Sequence, residues 1–274
     1  MAVARCTSCG SSDVSLLETL PDTRKHVKCL DCGHDWVRGE AAPVVTASSR
    51  SSGEQRRFPR PSDVTPERLA WVEGLRTSFL ERTPEPDPAV AEYWRRYQHI
   101  FSIDGLREAS PEDLKAFANT PIGANPGNVT VFNNEWNALG VAEASQRVRD
   151  SVRFLIYGSD RVSMPDRLTQ LIRGTGGRGM KGFSEALLTK VLCVMQPERF
   201  LPILMYSGVA GKREIAESVY GLVLPPKAAT SMTQGRLVFW SNDLLRELVG
   251  DVFATQQHAS QFLWEAKDQA VAAR

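Results

Sequence analysis

No run of about 18 consecutive apolar residues occurs anywhere in the 274-residue chain, which excludes a hydrophobic membrane-spanning helix. The first ten residues, MAVARCTSCG, lack the apolar core of a secretory signal, so the expected location is the cytoplasm. Charge of one sign is also missing. Thirty-three Lys and Arg face 32 Asp and Glu, for a net charge of +1. A polycationic coat protein is thereby excluded, whereas a local basic face is not. Histidine is scarce, with four residues at 26, 34, 99 and 258, and no His-rich nuclease or metalloprotease cluster can be assembled from them. What remains is ordinary globular composition, 42% hydrophobic and 24% charged, in a chain long enough for one or two domains and a small appendage.

Cysteine is rare, but four of the five fall in two pairs, Cys6-Thr-Ser-Cys9 and Cys29-Leu-Asp-Cys32, each followed by glycine. Thiolates three residues apart grip one face of a tetrahedral ion, and the glycine lets the chain turn beneath it, so the spacing points to structural Zn2+. A disulfide framework would need an oxidising compartment for which the chain gives no address. A thioredoxin-type pair would need a βαβ context that is absent here. His34 follows the last pair and is expected on the surface. Between the pairs, Val14–Thr19 and His26–Lys28 are strand candidates around a tip at Leu20-Pro-Asp-Thr23. The segment from His26 to Val37 resembles the last strand region of the zinc ribbons of transcription elongation and cleavage factors. The resemblance implies a ribbon fold over residues 1–40. It does not imply cleavage chemistry, because the tip offers Asp22 without a second acid. Cys193 lies in an apolar helical run and reads as a buried thiol.

Residues 41–64 are rich in Ser, Pro and Arg without periodicity and read as a linker. Arg50, Arg56, Arg57 and Arg60 outnumber Glu54 and Asp63. They serve either to track a phosphate backbone or simply to keep the linker soluble. From Thr65 a helical period sets in, and residues 65–274 are expected to form a mainly α domain. Leu69, Val72, Leu75 and Phe79 form one expected face, and Val90, Tyr93, Trp94 and Tyr97 the next. Further helices are expected over 110–117, 142–156, 165–173, 183–195, 215–220, 242–253 and 256–270. Val129-Thr-Val-Phe132 is expected to be a short strand or extended crossing.

Gly174-Thr-Gly-Gly-Arg-Gly179 matches a dinucleotide-binding fingerprint by letter, but a helix rather than a strand precedes it. Gly211-Lys212 lacks the rest of a phosphate-binding loop. The glycine stretch is better read as a helix–glycine turn–helix element. Arg173, Arg178 and Lys181 would supply charge there, while Gly179 and Gly182 would let backbone approach a DNA phosphate at a helix N-terminus. The alternative is a tight interhelical turn in which glycine serves packing. Helix-hairpin-helix glycosylases place a catalytic Asp after such a turn. This chain continues Gln196-Pro-Glu-Arg-Phe-Leu-Pro without it, and Asp166 and Glu265-Ala-Lys267 lie about a hundred residues apart. No catalytic residue is assigned.

Lys181-Gly-Phe-Ser-Glu-Ala-Leu-Leu-Thr-Lys-Val-Leu-Cys-Val-Met-Gln-Pro-Glu-Arg-Phe-Leu-Pro-Ile203 resembles the helical region upstream of the AAA+ motor in McrB-like proteins of restriction and phage-defence systems. Walker motifs are missing from this chain. The resemblance implies a DNA-interacting module, for plain or base-modified duplexes, working beside a separate motor or nuclease. A DNA-acting enzyme of glycosylase or nuclease type and a protein–protein adaptor are the alternatives.

Overall fold

The computed structural model describes residues 14–19, 25–29, 35–38, 58–177, 179–227 and 233–272. A three-stranded antiparallel sheet comes first, followed by eleven α-helices among the described residues. The strands β1 (Val14–Thr19), β2 (Lys25–Cys29) and β3 (Asp35–Arg38) form a meander with β2 in the middle. The register pairs Val14 with Cys29 and Thr19 with Lys25 across β1 and β2. Across β2 and β3 it pairs Lys28 with Asp35 and Lys25 with Arg38. The pairing slips between Leu16 and Glu18, so Leu17 is an extra residue on β1. Such a bulge strengthens the local twist of an edge strand. Both expected strands form, and β3 adds a third that the sequence reading did not separate out.

The helical part begins earlier than its periodicity suggests. Phe58 is buried and meets Trp240 edge-on at 5.9 Å, and Val64 is buried too. Residues 58–64 of the expected linker are therefore packed onto the helical core. Helix α1 (Pro66–Arg82) starts where Thr65 accepts a hydrogen bond from the Arg68 amide and Pro66 takes the first position. Val72 and Phe79 are buried on its inner face, while Leu69 is 44% exposed. Helix α2 (Pro88–Ile100) is capped by Asp87 and buries the expected face of Val90, Tyr93, Trp94 and Tyr97. A short α3 (Gly105–Glu108) leads to α4 (Pro111–Asn119), which opens with Ser110 accepting from the Asp113 amide at 3.0 Å.

Val129–Phe132 is not a strand. Helix α5 spans Thr130–Leu139, and the Asn128 side chain accepts from the Thr130 amide at its start. The β-branched residues suggest a strand locally, but Phe132 and Trp136, one turn apart, are both buried, with the Phe132 ring 6.0 Å from that of Phe183. Tertiary burial overrides the weak local preference. After α6 (Val141–Tyr157) and α7 (Met164–Arg173) comes α8 (Glu185–Met195). Glu185 and every residue from Leu187 to Val194 are buried, so α8 is the axis of the core. Helix α2 packs along one flank of α8, with α6 and α7 against others. Helices α9 (Lys212–Tyr220), α10 (Gln234–Val249) and α11 (Gln256–Ala272) complete the body. Helix α10 starts eight residues ahead of the expected 242, at a Thr233 cap, and ends at Val249 rather than 253.

One hydrophobic core runs from Phe58 to Ala266 through the helices. The buried residues of the sheet, Val27 and Cys29, are not part of it.

Candidate metal centre and nucleic-acid interface

The sheet register decides where the cysteine-bearing segments attach. Val14, the first residue of β1, is opposite Cys29, the last of β2. Asp35, the first of β3, is opposite Lys28. The chain therefore enters β1 and crosses from β2 to β3 at the same end of the sheet. Cys9 precedes Val14 by five residues and Cys32 precedes Asp35 by three. Cys29 itself is fully buried at that end. Cys6, Cys9, Cys32 and His34 lie outside the described residues, and among the described ones no three metal-ligating side chains cluster.

The glycine segment between α7 and α8 is organised from within. Gly174 ends α7 in a left-handed conformation, and a 3-10 turn covers Thr175–Gly177. The Arg147 guanidinium of α6 donates to the carbonyls of Gly177 and Gly179, both at 3.4 Å. A side-chain carbon on Gly179 would lie 3.0 Å from the Gly174 Cα and the Leu171 carbonyl. One on Gly182, at φ +83°, would lie 2.3 Å from the Phe132 amide nitrogen and 2.4 Å from its Cα. Both glycines thus give their close approach to the protein's own backbone. Arg173 and Lys181 point to solvent. Arg178, Arg56 and Arg57 lie outside the described residues, and Arg60 is exposed, its amide bonded to the Asp63 carboxylate at 2.8 Å.

The expected anion grip at the start of α8 is corrected by burial. Phe183 is 1% exposed and Glu185 4%, so the first turn of α8 faces protein. A carboxylate is already there. Glu185 accepts from the Tyr206 amide at 2.6 Å and from the Gln234 side chain and the Lys227 ammonium, each at 2.5 Å. An acidic side chain in the first turn complements the helix dipole from inside. Any phosphate contact in this region must come from the exposed cations of the loop.

Two buried lysines escaped the sequence reading. Lys190 donates to the Thr120 carbonyl and stands 5.2 Å from the ring centres of both Tyr93 and Phe117. Burial pushes its pKa down to about 7, with a small opposing pull from Cys193. Lys212 donates to the Ile203 carbonyl, and burial lowers its pKa to about 8 against the pull of Cys193, Glu185 and Asp243. In an apolar helical run a lysine reads as a solvated position. Only the tertiary carbonyl partners reveal these two as buried. Cys193 is fully buried, its thiol pushed up to about 12 by burial and directed at the Leu201 carbonyl at 3.5 Å. It is the inert core thiol that the sequence indicated.

The scattered carboxylates are occupied separately. Asp166 accepts from Ser163 at 2.7 Å and pairs with Arg236 at 3.4 Å. Glu265 pairs with Arg82, and Lys267 with Asp268 at 3.6 Å. His258 bonds the Thr83 carbonyl at 2.7 Å between the rings of Phe79 and Phe253. Each is accounted for by structure. No protein-family model, curated protein or solved structure matches this chain.

Proposed function

We propose that the chain is a DNA-binding module in which a zinc-organised ribbon and a helical body act together on a duplex. In that reading it serves a restriction or anti-phage system as the recognition partner of a separate motor or nuclease. The observation that carries it is the sheet register, which attaches both cysteine-bearing segments at one end. That is the requirement for Cys6, Cys9, Cys29 and Cys32 to share one ion. Zinc would supply folding energy to a sheet too small to hold itself together. Cys29, fully buried at the end of β2, fits such a role.

The DNA part rests on cations. Lys25 and Lys28 are exposed on the central strand, and Arg60, Arg173 and Lys181 are exposed on the helical body. Phosphate contacts of this kind position a protein without reading sequence. The test is equilibrium binding of the full chain and of Arg173→Ala/Lys181→Ala to a duplex over a range of salt. The double variant is expected to weaken binding to plain and base-modified duplexes alike. The slope of log K against log salt should flatten by roughly 0.9 per lost contact. An unchanged slope would remove the loop from the interface.

A second reading has one observation behind it. Leu16 and Leu17 are 53% and 50% exposed on the edge strand β1, which favours a protein partner at the ribbon. Replacing both with Ser distinguishes the two. A protein-docking ribbon would lose its partner, and a DNA-binding one would keep its affinity.

A further inference from the structure

Helices α4 and α5 enclose a groove of about 560 Å3 lined by Glu112, Lys115, Ala116, Asn119, Asn133 and Asn137. On α4 the lining recurs at helical spacing, and on α5 the two asparagines are one turn apart. Carboxamides dominate it. Asn119 and Asn133 exchange hydrogen bonds across the groove, at 3.1 and 2.8 Å. Lys115 reaches the Asn137 oxygen at 3.4 Å. No core contact requires this pairing, since Asn119 and Asn137 are exposed and Asn133 is half-buried.

The groove adjoins the cationic loop. Gly182 rests on the backbone of Phe132, the residue before Asn133. Lys181 and Asn133 therefore spring from backbone at most about 13 Å apart. A lysine side chain and one nucleotide together span that separation.

A carboxamide offers one donor beside one acceptor. The matching pattern on DNA is found on the base edges that Watson–Crick pairing uses. In a duplex those edges are taken, and base edges lie inside the grooves, where a concave protein surface cannot follow. In a single strand each base exposes such an edge. The charges agree: Glu112 at the groove disfavours phosphate there, while Lys181 and Arg173 beside it favour phosphate on the loop. We infer that this groove receives unpaired bases of a single-stranded DNA segment, the Asn119 and Asn133 carboxamides taking base edges while the loop cations hold the flanking phosphates. The inference rests on the DNA-binding reading above and names the form of DNA that this face takes.

The experiment compares a labelled mixed-sequence single strand with the same sequence as duplex, using the full chain and three variants. The parent should bind the single strand more tightly by about tenfold, within the range of one bidentate base contact. Asn119→Ala/Asn133→Ala should lose about that factor on the single strand, keep its duplex affinity and keep its salt slope. Asn133→Gln, which keeps a carboxamide, should retain most of the preference. Lys181→Ala should weaken both forms and flatten the salt slope. Should the alanines unfold the chain, Asn137→Ala at the exposed rim is read in their place, with the same expected loss. A parent that binds duplex as well as single strand, or an alanine variant with unaltered preference, overturns the groove while leaving DNA binding intact. Binding of neither form overturns the DNA reading as well. Displacement of the strand by a neutral unstructured polypeptide at comparable concentration overturns it in favour of peptide docking.

Discussion

Replacing Gly182 by alanine tests the seam on which both the cationic loop and the groove depend. At φ +83° any side chain is strained, and the new methyl would sit 2.3 to 2.7 Å from the backbone of Val131 and Phe132. Those are atoms of a helix and cannot rotate away. Left-handed backbone costs a non-glycine residue about 1–2 kcal/mol. Forcing a methyl into packed structure adds about 1–3 kcal/mol. The sum, about 2–5 kcal/mol, is a large part of the roughly 5–15 kcal/mol that holds a domain together. Gly174→Ala is the control. It has a similar φ of +66°, with nothing within 4 Å of the added carbon, so only the backbone term of about 1–2 kcal/mol applies. Urea unfolding of both variants with unchanged m-values reads the difference directly. If Gly182→Ala is no more destabilised than Gly174→Ala, the loop does not rest on α5, and the proximity of Lys181 to the groove is lost with it.

Other outcomes follow from burial and charge. Lys190 has a folded pKa near 7 against about 10.5 unfolded, so between those values the unfolded chain binds more protons and stability rises with pH. Lys212 acts in the same direction from about 8. Above about 9 the raised Cys193 thiol works the other way, so urea midpoints between pH 7 and 9 are the clean window, and Lys190→Met should flatten the rise there. A midpoint independent of pH in the parent would contradict the burial of both lysines. Glu185→Ala leaves Lys227, Gln234 and the Tyr206 amide without their acceptor and should cost about 3–5 kcal/mol, with Glu185→Gln milder. A change within experimental error would mean the carboxylate is not a hub. A chain beginning at residue 54 should be about 1.5–3 kcal/mol more stable than one beginning at residue 62, because Phe58 is buried against Trp240. Equal urea midpoints would put Phe58 outside the core. Metal analysis should find one zinc per chain, lost in Cys29→Ser/Cys32→Ser; a full complement in that variant would sink the assignment.

The legible parts of this chain are those with local causes. Thr65, Ser110 and Ser163 announce helix starts because each side chain caps an amide three residues on. Tyr93, Trp94 and Tyr97 announce a buried face by spacing alone. Val14–Thr19 is legible because a strand needs only its own alternation and a nearby turn. What failed depended on distant partners. The start of α5 is held by Phe132 meeting Phe183, fifty-one residues on, and its β-branched letters point elsewhere. The first turn of α8 was expected to be open because its glycines suggest access. The carboxylate that closes it draws on Tyr206, Lys227 and Gln234, which no local pattern connects to Glu185. The amide groove was invisible for the same reason, since Asn119 and Asn133 share no element and meet only when α4 and α5 pack.

The most direct test of the account is the affinity of the full, zinc-loaded chain for DNA as salt is raised from about 50 to 200 mM. The account predicts binding that weakens linearly in log K against log salt, with a slope that Arg173→Ala/Lys181→Ala reduces by roughly 1.8. No measurable binding to duplex or single strand at the low-salt end, from a chain that melts cooperatively, would contradict it.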